Sequence, residues 1–482
     1  MKTRLGGALV VATAVALAAP GTIAFAANKA GGSCKVAGQI SGKLTCTAKG
    51  RKKVWSVTPV TTAAPVTTAA VATPGATVTT AAAAPAGLKP VPGFDGSTIS
   101  LGYLSNVAGG PFAVGGKALT AGFNSIVTTV NDNGGIAGKY KINNIFAETE
   151  YNAEKSVAKY TELRDKVVMF SQVYGTPNVQ AVVPKLRQDG LIGSPISWDA
   201  EWTKDPALLP NGGVYQYGAM NILDWWVTAQ GNKDKKICSV THNSAYGDAG
   251  LEGYEFALKS LNFVAPVKLK IAPADANMGA VATQLKSGGC DAVFTAIASG
   301  QTTGLLVAGS QQSYNPILLS MGPSFNVGQV SSDDLEKLYD KQVYVVSDVA
   351  QWGDPKLPGM KLLLADVAKF APEYAGTVDT AYAVGWAQAK VVVALLEKAV
   401  ALGDLSKEGM RKAVAQMGEV DTGGVYPNPV YVDPTKRIPY SASHIMKIDT
   451  ILKAKSGGLL YAPGGVSYKA SFASGYKHRV WP

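Results

Sequence analysis

At 482 residues the chain is too long for one hydrophobic core of typical size, and although 47% of it is apolar, no stretch after the N-terminus is apolar for long enough to cross a bilayer. Its formal charge of +11 does not mark a nucleic-acid binder, because the excess is local. Lys2, Arg4, Lys29, Lys35, Lys43, Lys49, Arg51, Lys52 and Lys53 all precede the first acidic residue, Asp95, and setting these nine aside leaves 36 basic residues against 34 acidic ones; a near-neutral body has no electrostatic footprint for nucleic acid.

Residues 1–26 have the form of an export signal. Lys2 and Arg4 precede an apolar run at residues 8–19 that Pro20 and Gly21 break, and Ala24-Phe25-Ala26 places small residues where a signal peptidase reads. The run is short of the roughly 20 residues a span needs. The mature chain is therefore expected to begin near Ala27, to be soluble, and to be secreted or held at the cell envelope outside the cytoplasmic membrane. No Cys stands directly after the expected cleavage point, where Ala27 and Asn28 follow Ala26, so no lipid anchor is expected.

Residues 27–57 form a small basic module whose charge suits either contact with an anionic envelope or a solvated surface. In an exported chain four cysteines are expected to be oxidised. Cys34 and Cys46 would close this module, which is too small to hold together by apolar burial alone. Residues 58–94 read as a tether: 58–87 consists of 11 Ala, 9 Thr, 4 Pro, 4 Val and 2 Gly, which cannot build a core, and the prolines keep it extended.

Beyond Pro92, short apolar runs alternate with amphipathic stretches, the pattern of βα units around parallel sheets. Strands are predicted at 99–104, 142–147, 167–171 and 191–194, with helices at 116–131, 153–164 and 179–188 between them. A second series has strands at 236–242, 264–271, 291–297 and 317–320, with helices ending near Leu261 and at 278–285 and 302–309. Two series of about 120 residues each imply two lobes. Cys238 lies near the start of the first strand of the second series and Cys290 just before the third. In the doubly wound order 2-1-3 these strands are neighbours, about 4.8 Å apart, within reach of a disulfide; two buried thiols are the alternative.

Catalytic motifs are missing from this pattern. The histidines, His242, His444 and His478, have no metal-ligand spacing with one another or with Cys. Gly116-Lys117 has the outline of a phosphate loop, but Pro111 stands where the first Gly is needed and Ala118 where a Ser or Thr is needed. No nucleophile elbow occurs. Neither an enzyme nor a cofactor or metal site is expected. What recurs is hydroxyl and aromatic residues at predicted C-terminal strand ends: Ser105, Phe112, Tyr174, Thr176, Ser197, Trp198, His242, Tyr246, Ser299, Ser324, and Gln351 with Trp352. Each alone is as readily a helix cap or loop residue. Together they are the residue types that hold a small molecule at the mouth of an α/β sheet.

Several segments carry a family likeness: Gly110-Pro111 within residues 101–116, Asn133-Gly134-Gly135-Ile136-Ala137-Gly138-Lys139, Ser244-Ala245-Tyr246-Gly247, and Gly288-Gly289-Cys290-Asp291-Ala292-Val293-Phe294. From residue 99 to about 452 the chain resembles the type I periplasmic solute-binding proteins of ABC importers, specifically the Leu/Ile/Val-binding family. The resemblance implies an α/β fold of two Rossmann-like lobes joined by three crossings, with a cleft that closes on a ligand. Lobe 1 would comprise residues 95–216 and 349–423, lobe 2 residues 217–348 and 424–452, with crossings near Tyr217, Val349 and Gly424. A Gly-, Tyr- and Lys-rich tail, 453–482, would either pack along a lobe or serve as an interaction segment. The resemblance further implies that Thr176, and Ser197 or Trp198, hold a ligand carboxylate and that Tyr246 is the aromatic cleft residue. Where amino-acid binders place an acid for the ammonium, after Gly322-Pro323, this chain has Ser324, so an amide or related carboxylate is expected alongside an amino acid. The expected partners are that small ligand and a membrane permease, with the chain itself a monomer. A ligand-sensing receptor module of the same fold is the alternative, and fold alone does not choose between them.

Overall fold

The structure, a computed structural model, describes residues 87–350, 352–376, 379–449, 453 and 466–477, and the backbone of residues 40–41, 44–49, 52–57 and 460–461. The export signal, most of the tether and Cys34 lie outside the described residues, and so does the expected Cys34–Cys46 pair. The basic module contains a three-stranded antiparallel sheet of β1 (Ile40–Ser41), β2 (Leu44–Lys49) and β3 (Lys52–Val57).

Packing in the main body begins within the predicted tether, because Val91 and Phe94 form a bridge, Phe94 also bridges to Ile99, and its ring is buried. Lobe 1 is built on a parallel sheet of β4 (Thr98–Ser105), β5 (Lys141–Glu148), β6 (Met169–Tyr174) and β7 (Gly193–Ile196), in the order β5-β4-β6-β7. Every residue of β6 and β7 is buried, as befits strands covered on both faces. The edge strand β5 buries only Ile142 and Ala147 of its eight positions and exposes Lys141, Asn143 and Phe146. The crossovers are α1 (Ala113–Asp132), α2 (Ala153–Leu163) and α3 (Thr176–Asp189). The turn after α1 needs left-handed backbone at Gly134, Gly135, Ala137 and Gly138. At Gly135 a Cβ would also sit 2.2 Å from the Tyr140 carbonyl, so only glycine fits there.

Lobe 2 opens with α4 (Tyr215–Asp224), entirely buried. It continues through β8 (Ile237–His242), α5 (Ala245–Leu261), β9 (Lys268–Ile271), α6 (Met278–Ser287), β10 (Ala292–Ala296), α7 (Ser299–Gln311), β11 (Ile317–Met321), α8 (Asp333–Gln342) and β12 (Val343–Ser347). The chain then returns to lobe 1 for α9 (Pro358–Phe370), α10 (Thr380–Ala401), α11 (Lys407–Gln416) and the pair β13 (Gly418–Glu419) and β14 (Val430–Tyr431). It ends on lobe 2 with β15 (Ser443–Asp449), β16 (Leu460–Tyr461) and β17 (Val466–Tyr468), antiparallel additions to a sheet ordered β16-β15-β12-β11-β10-β8-β9.

The three crossings therefore fall between β7 and α4, after β12, and between β14 and β15. The last comes later than Gly424 because Tyr431 is buried in the lobe 1 core and its hydroxyl donates to the Pro210 carbonyl at 2.8 Å. Residues 466–477 of the tail pack along lobe 2: Ala470 N–H donates to Asn221 Oδ1, the Tyr468 hydroxyl donates to Asp224 Oδ2, and the Tyr476 ring meets Phe256 at 5.4 Å.

β8 and β10 are neighbours, with Cys238 paired in register with Val293, and Cys238 and Cys290 form a disulfide with Cα atoms 5.8 Å apart. Alkylating the unreduced protein and mapping its peptides is expected to return these two residues as one cross-linked pair. An alkyl adduct on Cys238 would contradict this.

Candidate functional site

The C-terminal ends of both sheets point toward one cavity between the lobes, where a doubly wound sheet leaves room for a ligand. Its wall takes Phe112 and Leu119 from the start of α1, Tyr174 from the end of β6, Tyr215 from α4, Tyr246 from the first turn of α5 and Ser299 from the first residue of α7. The end of β12 adds Ser347 and Asp348, and the start of α10 adds Thr380 and Ala381. The space open to the centre of a water-sized sphere is about 130 Å³. Since one water needs about 10–15 Å³ by that measure, the cavity suits a molecule of on the order of ten non-hydrogen atoms.

Six aromatic rings run around this space in an unbroken series. Trp198 lies 5.9 Å from Tyr215, Tyr215 5.0 Å from Tyr246, Tyr246 5.7 Å from Phe112, Phe112 4.8 Å from Tyr151, and Tyr151 6.0 Å from Tyr174. All five contacts are tilted or edge-to-face, the favoured arrangement for aromatic pairs. The Phe112–Tyr246 contact joins lobe 1 to lobe 2. Burial raises the phenol pKa of Tyr151, Tyr174, Tyr215 and Tyr246, so these hydroxyls stay neutral.

Tyr151 reaches the cavity through an unusual loop. Glu150 and Tyr151 adopt left-handed backbone in succession, with φ of 52° and 57°, a conformation costly for side chains of this size. The Glu148 carboxylate holds it by accepting from the N–H groups of Val107, Ala108 and Glu150 at 2.8–3.0 Å.

Of the residues expected from the sequence, Phe112, Tyr174, Trp198, Tyr246 and Ser299 line the cavity. Ser105, Thr176, Ser197, Ser324 and Trp352 stand outside its wall. Ser105 is fully buried and accepts from Gln172 Nε2 at 2.8 Å. The Trp202 indole N–H donates to Ser197 Oγ at 2.8 Å, and the Ser197 hydroxyl donates to Thr176 Oγ1 at 2.9 Å, so Ser197 has no proton left to give a ligand carboxylate. Ser324 Oγ accepts from Ile297 N–H and donates to the Thr295 carbonyl, both at 3.1 Å, with the Tyr246 hydroxyl 3.3 Å away. Trp352 is packed in the apolar core. His242 lies outside the wall as well, buried with its pKa lowered by desolvation, hence neutral and no anchor for an anion.

Sequence reasoning missed Tyr151, Tyr215, Phe325, Asp348 and Tyr426, all in the wall. Asp348 follows β12 directly, and the strand-end rule would have found it had that strand been recognised. Among the described residues no group of His, Cys, Asp and Glu is arranged to hold a metal ion, and no helix is long and apolar enough to cross a membrane.

Two Rossmann-like lobes face one pocket lined by aromatic rings. The chain belongs to the periplasmic binding protein family, whose model matches residues 98–456. Among solved structures it is similar to a fatty acid ABC transporter substrate-binding protein from Thermomonospora curvata, at 23% identity and a TM-score of 0.74 over 82% of this chain and 98% of that one. A branched-chain amino acid ABC transporter protein from Thermus thermophilus with bound valine matches at 14% identity and a TM-score of 0.67, over 78% of this chain and 97% of that one. The solute-binding protein from R. palustris in complex with 4-hydroxybenzoate matches at 18% identity and a TM-score of 0.63, over 78% and 99%. No curated protein matches the sequence.

Proposed function

We propose that this protein is the solute-capturing component of an ABC-type importer, working outside the cytoplasmic membrane and handing a compact solute with substantial apolar or aromatic surface to a permease. The observation that carries this reading is the ring series from Trp198 to Tyr174, which spans both lobes through Phe112 and Tyr246 and offers large apolar area around a small cavity. The structural relatives support the transport setting: one is a fatty acid ABC transporter substrate-binding protein, one a branched-chain amino acid ABC transporter with bound valine, and one an ABC transporter solute-binding protein in complex with 4-hydroxybenzoate.

The test begins with a thermal-shift screen of the purified protein against amines, alcohols, amino acids, fatty acids and aromatic acids. At least one solute is expected to bind one-to-one and unchanged, and cells lacking the protein are expected to lose uptake of that solute. Turnover of the bound solute, or unimpaired uptake in such cells, would count against the importer reading.

A further inference from the structure

The cavity wall carries one charge, and nothing in the described protein neutralises it. Asp348 is part of that wall, while no Lys or Arg is. Its Oδ2 accepts from Gly213 N–H at 2.6 Å. Oδ1 has no hydrogen-bond partner and Asp348 no ion pair among the described residues. The titratable groups it acts on are the phenols of Tyr426 and Tyr440, whose ionisation it opposes. Asp348 is half-buried, and when ionised it lacks a counter-charge that an entering cation would supply.

The surroundings of this carboxylate narrow the choice of ligand. An anion entering here meets a like charge in a low-dielectric space, where the repulsion is large. The Ser197 hydroxyl, expected to hold a carboxylate, already donates its proton to Thr176. A neutral solute brings no charge to favour the ionised form of Asp348. A cation gains twice: Asp348 supplies its counter-charge, and the faces of electron-rich rings attract it as well. The phenols stay neutral, so they compete for no charge.

We propose that the cleft selects a compact organic cation, an ammonium group on an apolar or aromatic body, with Asp348 as its counter-charge and the ring series as its walls. This deepens, and rests on, the reading of the cleft as the solute site. It also returns to this chain, from the end of β12, the ammonium-binding acid that Ser324 fails to supply after Gly322-Pro323.

Acidity follows from the same geometry. Burial pushes the Asp348 carboxyl up to about 7, with the Gly213 N–H pulling the other way. The carboxylate form therefore gains population as pH rises through about 7, and a fixed cation should bind more tightly as it does. Asp379, which caps α10 by accepting from the N–H groups of Ala381 and Tyr382, is also raised by burial, to about 6. It lies beside the cavity residues Thr380 and Ala381, so the variant at position 348 is needed to separate the two.

The test uses three probes of one shape and different charge, 2-phenylethylammonium, 2-phenylethanol and phenylacetate, titrated calorimetrically into the full-length mature protein and into Asp348→Asn, which keeps an acceptor for Gly213. The ammonium is expected to bind tightest, by about tenfold or more over the alcohol, with phenylacetate weakest, and the preference is expected to vanish in the variant. Benzyltrimethylammonium, whose charge does not titrate, is expected to weaken about tenfold between about pH 8 and about pH 5.5 in the native protein. Should the variant fold poorly, the ranking of the three probes in the native protein decides. A tighter alcohol or carboxylate, a preference unchanged in Asp348→Asn, a flat pH series, or no binding by any probe would overturn the cation assignment. The wider solute-binding reading would survive each of these as long as the uptake experiment identified another solute.

Discussion

Tyr246→Ala is expected to weaken solute binding by roughly 30-fold or more, the loss typical of a buried tyrosine at the centre of a recognition surface. The ring is 1% exposed and touches Phe112, Tyr215 and His242 at 5.7, 5.0 and 5.9 Å. Removing it opens a gap where lobe 1 meets lobe 2, so the solute loses a wall and the closed state loses its bridging contact. Tyr246→Phe separates these effects from the hydroxyl. Its partner Ser324 keeps the Ile297 N–H and the Thr295 carbonyl, so the phenylalanine variant is expected to bind within about threefold of the native protein. Calorimetric titration of both variants checks this. An alanine variant that binds as tightly as the native protein would remove Tyr246 from the site.

Gly122→Val is expected to be the most damaging single change to the fold. Gly122 lies inside α1 and Gly385 inside α10, where glycine costs about 1 kcal/mol relative to alanine, and both permit the two helices to touch backbone to backbone. A Cβ at Gly122 would lie 2.1 Å from the Tyr382 carbonyl oxygen, and one at Gly385 would lie 2.0 Å from that of Leu119. No side-chain rotation relieves a clash with backbone, so the helices must separate and loosen the contacts of Phe123 and Trp386, both buried. The expected cost is on the order of 3 kcal/mol or more, seen as a fall of several degrees in the melting midpoint or as failure to fold. Because Thr380, Ala381 and Val384 at the start of α10 form one wall of the cavity, a folded variant should also bind its solute more weakly. An unchanged melting midpoint would contradict this packing.

Much of this architecture was legible in the sequence because a parallel sheet writes itself as apolar runs between amphipathic stretches. The strand at 99–104 is β4, lengthened by one residue at each end, and the helix at 153–164 is α2 to within its last residue. The disulfide was legible for a related reason, since the order 2-1-3 puts β8 beside β10. Legibility ended where punctuation did. β12 begins on the residue after α8, with no Gly, Pro or Asn to mark the change, so the strand passed unread and Asp348 with it. Tyr151 was hidden for another reason, being carried into the cleft by two left-handed residues, neither of them glycine. Thr176 and Ser197 were recognisable as hydroxyls near strand ends. That the indole of Trp202 would turn them toward each other depends on packing that no local pattern encodes.

A solute held between the lobes by the ring series should be visible to hydrogen exchange measured with and without it. Protection is expected to rise together in both lobes, in the peptides carrying Phe112 to Leu119 and in those carrying Tyr246, and Tyr246→Ala is expected to erase it. Protection confined to one lobe, or to a surface outside the cleft while these peptides exchange unchanged, would contradict it.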